Sequence, residues 1–284
     1  MKLKKLIPKG VKRFIKSKYK SLKIFIPNLL EKKSSKLNLI NTFPDFRPAS
    51  PGNYKMNEES IITNINSTFK ILSLISSKNK SLEILNTNDL TYSNKEVDRL
   101  DRFFKKYKSD KSTMHDYHKI YASYLDKKET FLLIEIGIGT NNTDVISNMS
   151  KDGNPGASLY AFSEAYPKSK IIGCDIDKRI LFNNEKIKTY YLDQNNYSTF
   201  TKLSRYKNKI DYLIDDGLHA QNANLNSMLF AIENLKVGGI LFIEDIPEYS
   251  LDFWKIANNL IPSNFEFHMI KSKIYFCGVM KRLK

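Results

Sequence analysis

The stretch Phe265-Glu-Phe-His-Met-Ile270-Lys-Ser-Lys-Ile274-Tyr-Phe-Cys-Gly-Val-Met280 decides the fold. It holds two β-type segments, Phe265–Ile270 and Ile274–Met280, with Lys271–Lys273 between them. A connection that short joins only antiparallel strands, because parallel neighbours need a crossover of a dozen residues or more. Upstream, back to residue 130, the pattern differs. Short apolar runs at Phe131–Ile136, Lys170–Cys174, Lys188–Leu192, Ile210–Ile214 and Gly239–Ile243 have the composition of strands buried on both faces. Helical stretches at Ser158–Tyr166, Tyr197–Tyr206 and Gln221–Leu235 separate most of them, and another follows at Leu251–Leu260. Strands alternating with helices imply a parallel sheet between two helical layers. The expected architecture is therefore an α/β three-layer sandwich around a seven-stranded, mostly parallel sheet.

The 284 residues, 41% of them apolar, supply enough material for a real core, so wholesale disorder is excluded. No apolar run approaches the ~20 residues that span a bilayer. The two cysteines, Cys174 and Cys277, each lie in an apolar stretch and read as reduced core residues of a cytoplasmic protein. The net charge of +16 is unevenly placed. Residues 1–36 hold thirteen Lys and Arg against Glu31, a surplus of +12; the other 248 residues carry 33 basic and 29 acidic groups. The excess belongs to a tail and leaves the body nearly balanced.

Within Met1–Ile26, Val11, Phe14, Ile15 and Leu22 follow helical spacing among lysines, as in a segment that lies on the anionic inner face of a membrane. A solvated lysine-rich extension explains the pattern equally well. Nucleic acid is the weaker partner, since no aromatic–basic stacking platform or zinc-finger spacing accompanies the charge. Pro44, Pro48, Pro51 and Gly52 make Asn41–Tyr54 a linker, and Ile61–Ile75 and Asn94–Lys106 read as amphipathic helices. The organisation expected is a basic segment over 1–40, a linker and helical accessory region over 41–104, and a catalytic domain over 105–284.

Parallel strands that finish in an antiparallel hairpin resemble the Rossmann-like fold of class I S-adenosylmethionine-dependent methyltransferases; counted from Phe131–Ile136, the resemblance implies the order 3-2-1-4-5-7-6, with strand 7 antiparallel. In open α/β sheets, ligands sit at the carboxyl ends of the strands. The first strand ends in Glu135-Ile-Gly137-Ile-Gly139, where glycines let the backbone approach a ligand and the carboxylate can orient the loop. The second ends in Asp175-Ile-Asp177, suited to ribose hydroxyls, and the third in Asp193-Gln194, suited to an adenine edge. Each carboxylate taken alone is explained by a helix cap or a solvated turn. Acids and glycines ending three successive strands are harder to explain that way. The cofactor-binding set expected is Glu135, Gly137, Gly139, Asp175, Asp193, Gln194 and Asp215.

The fourth strand ends Asp215-Asp216-Gly217-Leu218-His219 and the fifth Glu244-Asp245. These strands are neighbours in the expected order, so four carboxylates crowd one end of the sheet and repel unless a cation joins them. Oxygen ligation favours Mg²⁺, with Mn²⁺ as the substitute. His219, just past the turn, is placed to act as a general base; a helix-terminal histidine bonding Asp215 or Asp216 is the structural alternative.

The run Asp215-Asp216-Gly217-x-His219 followed by Ile243-Glu244-Asp245 resembles the metal-dependent sugar O-methyltransferases of the mycinamicin type and the related cephalosporin hydroxylase-like family. Ser109-Asp110-Lys111-Ser112 with His115, Tyr117 and Tyr121, Gly156-Ala-Ser158-Leu159 and Asp193-Gln194 fit the same likeness, which covers about residues 105–284. The resemblance implies Asp216, Glu244 and Asp245 as Mg²⁺ ligands, His219 as base with Asp216 beside it, and S-adenosylmethionine as methyl donor. It also implies a sugar, glycan or secondary-metabolite hydroxyl as acceptor, with Asp110 and Lys111 helping to close the site. Leu218 replaces the family's usual Ser, and Asn141–Pro155 is a long insertion after the glycine loop. The competing classes are another metal-dependent enzyme on the same scaffold, a nucleic-acid methylase and a non-catalytic cofactor-binding module. An iron hydroxylase would need two histidines and a carboxylate. A base-amino methylase would carry an Asn/Asp-Pro-Pro-Tyr/Phe element, which this chain lacks.

Overall fold

The structure, a computed structural model, describes residues 70–125, 129–151 and 153–284. The chain divides into two units, Met1–Ile71 and Leu72–Lys284, and nearly all described residues belong to the second. The basic tail, the linker and the first part of the Ile61–Ile75 helix lie outside the described residues; residues 70–76 are helical. No helix among the described residues is long and apolar enough to cross a membrane.

One sheet organises the second unit. Its strands are β1 (Glu83–Asn86), β2 (Leu132–Ile136), β3 (Lys170–Asp175), β4 (Ile187–Tyr191), β5 (Ile210–Asp215), β6 (Leu235–Ile246), β7 (Phe265–Lys271) and β8 (Phe276–Arg282). They lie in the order β1-β7-β8-β6-β5-β2-β3-β4. β8 runs antiparallel to both neighbours, β6 and β7, and every other pairing is parallel. The expected order is thus present, with one addition. β1 pairs with the outer edge of β7, Glu83 opposite His268, which makes eight strands where seven were expected. This four-residue edge strand is mostly exposed, so it carries neither the alternation nor the apolar run that marks a strand in sequence. Its conformation comes from the open edge of β7.

The helices are α1 (Asn94–Tyr107), α2 (Asp110–Thr113), α3 (Tyr117–Leu125), α4 (Ala157–Ala165), α5 (Gln221–Asn234) and α6 (Leu251–Leu260). Tyr197–Tyr206, expected to be helical, is a run of 3-10 turns. The pleat sends alternate residues to opposite faces. Leu132, Ile134 and Ile136 of β2 and Leu241 and Ile243 of β6 join one core, beneath Phe200, Phe230 and Trp254. Leu133 of β2 and Ile240 and Phe242 of β6 join the other, beneath Leu100, Phe104, Tyr121 and Phe162 from α1, α3 and α4. The helix expected at Asn94–Lys106 is α1, and Phe104 packs edge-on against Phe162 at 5.2 Å.

Phe242 anchors this second core, with ring centroids 5.1 Å from Tyr121, 5.5 Å from Tyr124 and 6.3 Å from Tyr212. Phe242→Ala is expected to cost about 3–5 kcal/mol, read as a lower urea midpoint at unchanged slope. A loss under about 1 kcal/mol would show that the aromatic cluster does not hold the layers together.

Candidate active site

The carboxyl ends of β5 and β6 bring Asp216, His219 and Asp245 together, each offering a ligand atom within 4.8 Å of the others. His219 Nε2 lies 3.9 Å from Asp216 Oδ1 and 3.8 Å from Asp245 Oδ2. Both His219 (φ +54°) and Asp245 (φ +55°) are left-handed, a conformation that costs a side-chain-bearing residue energy and clusters at functional sites. At Asp245 the left-handed residue interrupts the pleat of β6 and re-aims the chain. Tyr117 fixes the result from both sides: its hydroxyl donates to Asp245 Oδ1 at 2.7 Å and accepts from the Asp245 amide at 3.0 Å. His115, stacked on Tyr117 at 5.1 Å, adds Nδ1 at 3.5 Å from the same carboxylate oxygen.

Behind this trio lies a buried ionic cluster. Glu135 and Glu244 belong to the same face of the sheet as Leu133 and Phe242, and α2 meets that face with Lys111, which is 2% exposed. Its ammonium lies 2.6 Å from Asp216 Oδ2, 2.5 Å from Glu244 Oε2 and 3.2 Å from Glu135 Oε1. Burial opposes the lysine's charge, but Asp216, Glu244 and Glu135 outweigh it and hold the ammonium well above the ordinary lysine range. Burial pushes the Glu244 carboxyl up to about 7 although Lys111 is beside it, and it raises Glu135 and Asp216 as well. Tyr121 donates to the other Glu244 oxygen, and Ser158 to Glu135 at 2.7 Å. Glu244, expected as a metal ligand, is therefore engaged by Lys111 and Tyr121 and stands outside the trio.

A cavity of about 660 Å³ opens over the ends of β2, β3 and β4. Gly137, Gly139, Asp175, Asp193 and Gln194 of the expected cofactor set line it, as do Asp216, His219 and Asp245; Glu135 and Asp215 are buried behind its wall. Gly137 is left-handed at φ +84°, and a Cβ there would stand 2.1 Å from the Asp216 carbonyl oxygen. Asp175 accepts from the Ile138 amide at 3.0 Å and the Asp177 amide at 2.8 Å, so it braces the glycine loop. Gln194 holds the turn after β5: it donates to Asp215 Oδ1 at 2.6 Å and accepts from the Leu218 amide at 2.7 Å. Asn224 donates to the other Asp215 oxygen at 3.0 Å. The long loop after Gly139 covers the cavity. Ser147 donates to the Gly217 carbonyl at 2.9 Å, and Arg179 bridges Asp177 at 2.7 Å and Asp144 at 2.9 Å. Arg179 and Asp144 carried no motif in the sequence, and neither did the supporting role of Gln194.

Two carboxylates and one imidazole from adjacent strand ends suit a divalent cation that prefers oxygen donors. His219 Nδ1 is buried with no hydrogen-bond partner among the described residues. The cavity, with its bare glycine rim, apolar side walls and acids at three strand ends, suits a nucleoside-containing ligand. Removing the buried cation behind this wall has a predictable sign. In Lys111→Met, the carboxyls of Glu135, Asp216 and Glu244 would bind protons more tightly folded than unfolded. Their contribution is retained below the ordinary carboxylate range and lost as pH rises through the raised folded values. The expected penalty is about 3–5 kcal/mol near pH 8, shrinking near pH 5, as urea unfolding of both proteins at both pH values would measure. An equal penalty at the two would refute the electrostatic account.

No protein-family model matches the chain. It is 30% identical over 92 residues to mycinamicin VI 2''-O-methyltransferase of Micromonospora griseorubida, a match covering 32% of this chain and 23% of that protein. It is 26% identical over 130 residues to demethylmacrocin O-methyltransferase of Streptomyces fradiae, covering 46% and 30% respectively. The match thus spans less than a third of the length of either curated relative. Among solved structures, the MycE methyltransferase from the mycinamycin biosynthetic pathway, in complex with Mg, SAH and Mycinamycin VI, superposes with a TM-score of 0.52 at 20% identity. That match covers 66% of this chain and 55% of the other. The fold is that of a class I S-adenosylmethionine-dependent methyltransferase, and the sequence likeness runs to the mycinamicin and macrocin O-methyltransferases.

Proposed function

We propose that this chain transfers a methyl group from S-adenosylmethionine to a hydroxyl of a sugar carried by a small molecule or glycan, with a divalent cation, Mg²⁺ or Mn²⁺, and His219 as general base. One observation carries the reading: Asp216, His219 and Asp245 converge at the rim of the nucleoside-sized cavity, two of the three in a left-handed backbone conformation. The relatives support it. One is a 2''-O-methyltransferase, and the MycE structure holds Mg and SAH.

Bound at this site, the sulfonium donor would supply an activated methyl group and the divalent ion would hold and acidify the acceptor hydroxyl. The chain's residues do the rest. Asp216 and Asp245 would hold the ion, and Glu244, engaged by Lys111 and Tyr121, is the further carboxylate behind them. Gly137 and Gly139 let the donor reach the backbone, Asp175 keeps their loop in place, and Asp193 faces the far end of the cavity. His219 accepts the hydroxyl proton at Nε2, and the imidazolium so formed lies close to both carboxylates. The cover pinned by Ser147 and Arg179 screens one side of the cavity. Holding donor and acceptor in line accounts for much of the acceleration.

A second reading, with His219 as the third ligand, is favoured by the mutual spacing of the trio and by the engagement of Glu244 with Lys111. Calorimetry with S-adenosylhomocysteine and Mn²⁺, together with turnover on a panel of glycosylated acceptors, separates the two. His219→Ala is expected to keep both affinities within about threefold while turnover falls about 10²–10⁴-fold. Loss of Mn²⁺ binding in that variant would make His219 a ligand. Asp216→Asn is expected to weaken Mn²⁺ by about tenfold or more and to abolish turnover. A parent protein that does not bind S-adenosylhomocysteine would end the methyl-transfer reading.

A further inference from the structure

From Leu72 to Ser76 the helical turn that precedes β1 is inverted. Its buried residues are serines, Ser73 at 2% exposure and Ser76 at 8%, while Leu72, Leu74 and Ile75 are exposed, the last two by more than half. A helix on the surface of a globular domain ordinarily does the reverse and turns its apolar stripe to the core. Polar contacts hold this one in place. Ser73 Oγ donates to Asp252 Oδ1 at 3.0 Å and Ser76 Oγ to the Lys255 carbonyl at 3.3 Å, both in α6. The chain then continues along α6, where Asn258 and Asn259 donate to the carbonyls of Ser81 and Lys80 at 3.2 and 3.0 Å. Leu260, which ends α6 next to that contact, is 78% exposed. The aliphatic side chains are thus held outward by a bonded backbone, and apolar residues grouped in this way mark a surface that meets something other than water.

The charge around the patch selects the partner. Leu72–Leu82 contains Lys78 and Lys80, both exposed, and no acid. Asp252, the carboxylate that Ser73 meets, is paired with Lys255 at 2.9 Å. Exposed aliphatic side chains bordered by lysines fit the headgroup layer of an anionic bilayer: the aliphatic tips leave water for the acyl boundary, and the ammonium groups meet lipid phosphates. The sequence as a whole leans the same way, with a surplus of +12 in residues 1–36. We propose that the outer face of Leu72–Ser76, with Leu260, Lys78 and Lys80, docks on an anionic lipid surface. A patch this small gives peripheral, reversible attachment rather than an anchor. The inference stands apart from the methyl-transfer reading and shares no residue with it.

The full chain is floated with vesicles of phosphatidylcholine, alone and mixed with phosphatidylglycerol. Binding to the mixed vesicles, and much weaker binding to phosphatidylcholine alone, is expected. Leu74→Ser with Ile75→Ser is expected to weaken binding about tenfold or more, and Lys78→Gln with Lys80→Gln about fivefold or more. The urea midpoint stays unchanged in both variants, since the altered positions are exposed. No binding by the parent, equal binding to the two kinds of vesicle, or undiminished binding in either variant would overturn the proposal; undiminished binding would leave the basic segment as the lipid contact. A parent that sediments as a dimer, with a Leu74→Ser, Ile75→Ser variant that sediments as a monomer, would give the face to a second copy and overturn it equally.

Discussion

A single buried ammonium lets three strand ends meet. Lys111 is inserted where β2, β5 and β6 each place a carboxylate, and without it Glu135, Asp216 and Glu244 would face one another in a low-dielectric space. Taking each such ion out of water costs several kcal/mol, recovered only where contacts are short and the remaining lone pairs are filled. Here the contacts are short, and Tyr121 and Ser158 fill further positions. One positive charge does not cancel three negative ones. The surplus accumulates toward the cavity, beside Asp245, which is the electrostatic reason a divalent cation would be welcome there.

The two faces of the sheet divide the labour. One face carries the ionic cluster. The other carries an amide network in which Gln194 and Asn224 donate to Asp215, Gln194 also meets Ser227, and the turn from Asp216 to His219 is held in one shape. Gly217 allows that closeness, since a Cβ there would stand 2.1 Å from Gln194 Oε1. The trio is thus supported from behind by charge and from below by amide hydrogen bonds, the arrangement that fixes reactive groups before a ligand arrives.

The parts of this design that repeat along the chain were open to reading; the parts made by distant partners were not. Apolar runs such as Leu132–Ile136 and the three-residue hairpin connection specify strands and their direction locally, whereas the sheet order was implied by the likeness to a known fold. Glu83–Asn86 could not, because its pairing partner is nearly two hundred residues away. Asp216, His219 and Asp245 stood out as acids and a histidine at strand ends, and the structure brings them together. The orientation of Glu244 was in principle available, since strand parity places it with Phe242 and Glu135 rather than with Ile243. What parity does not reveal is that α2 delivers Lys111 to that face, 133 positions away in the chain. Gln194 read as a ligand contact because its chemistry suits an adenine edge, and Asp215 as one because it is an acid at a strand end; their bonding to each other depends on the approach of β4 and β5 to α5.

The left-handed backbone at His219 and Asp245 has a bearing on how this protein can be altered. Each residue holds about 1 kcal/mol or more of conformational cost that glycine would not incur. Thermal robustness is therefore to be gained at the very positions where a proton acceptor and an ion-binding oxygen are needed. Selection for a sturdier fold and selection for turnover pull these two codons in opposite directions.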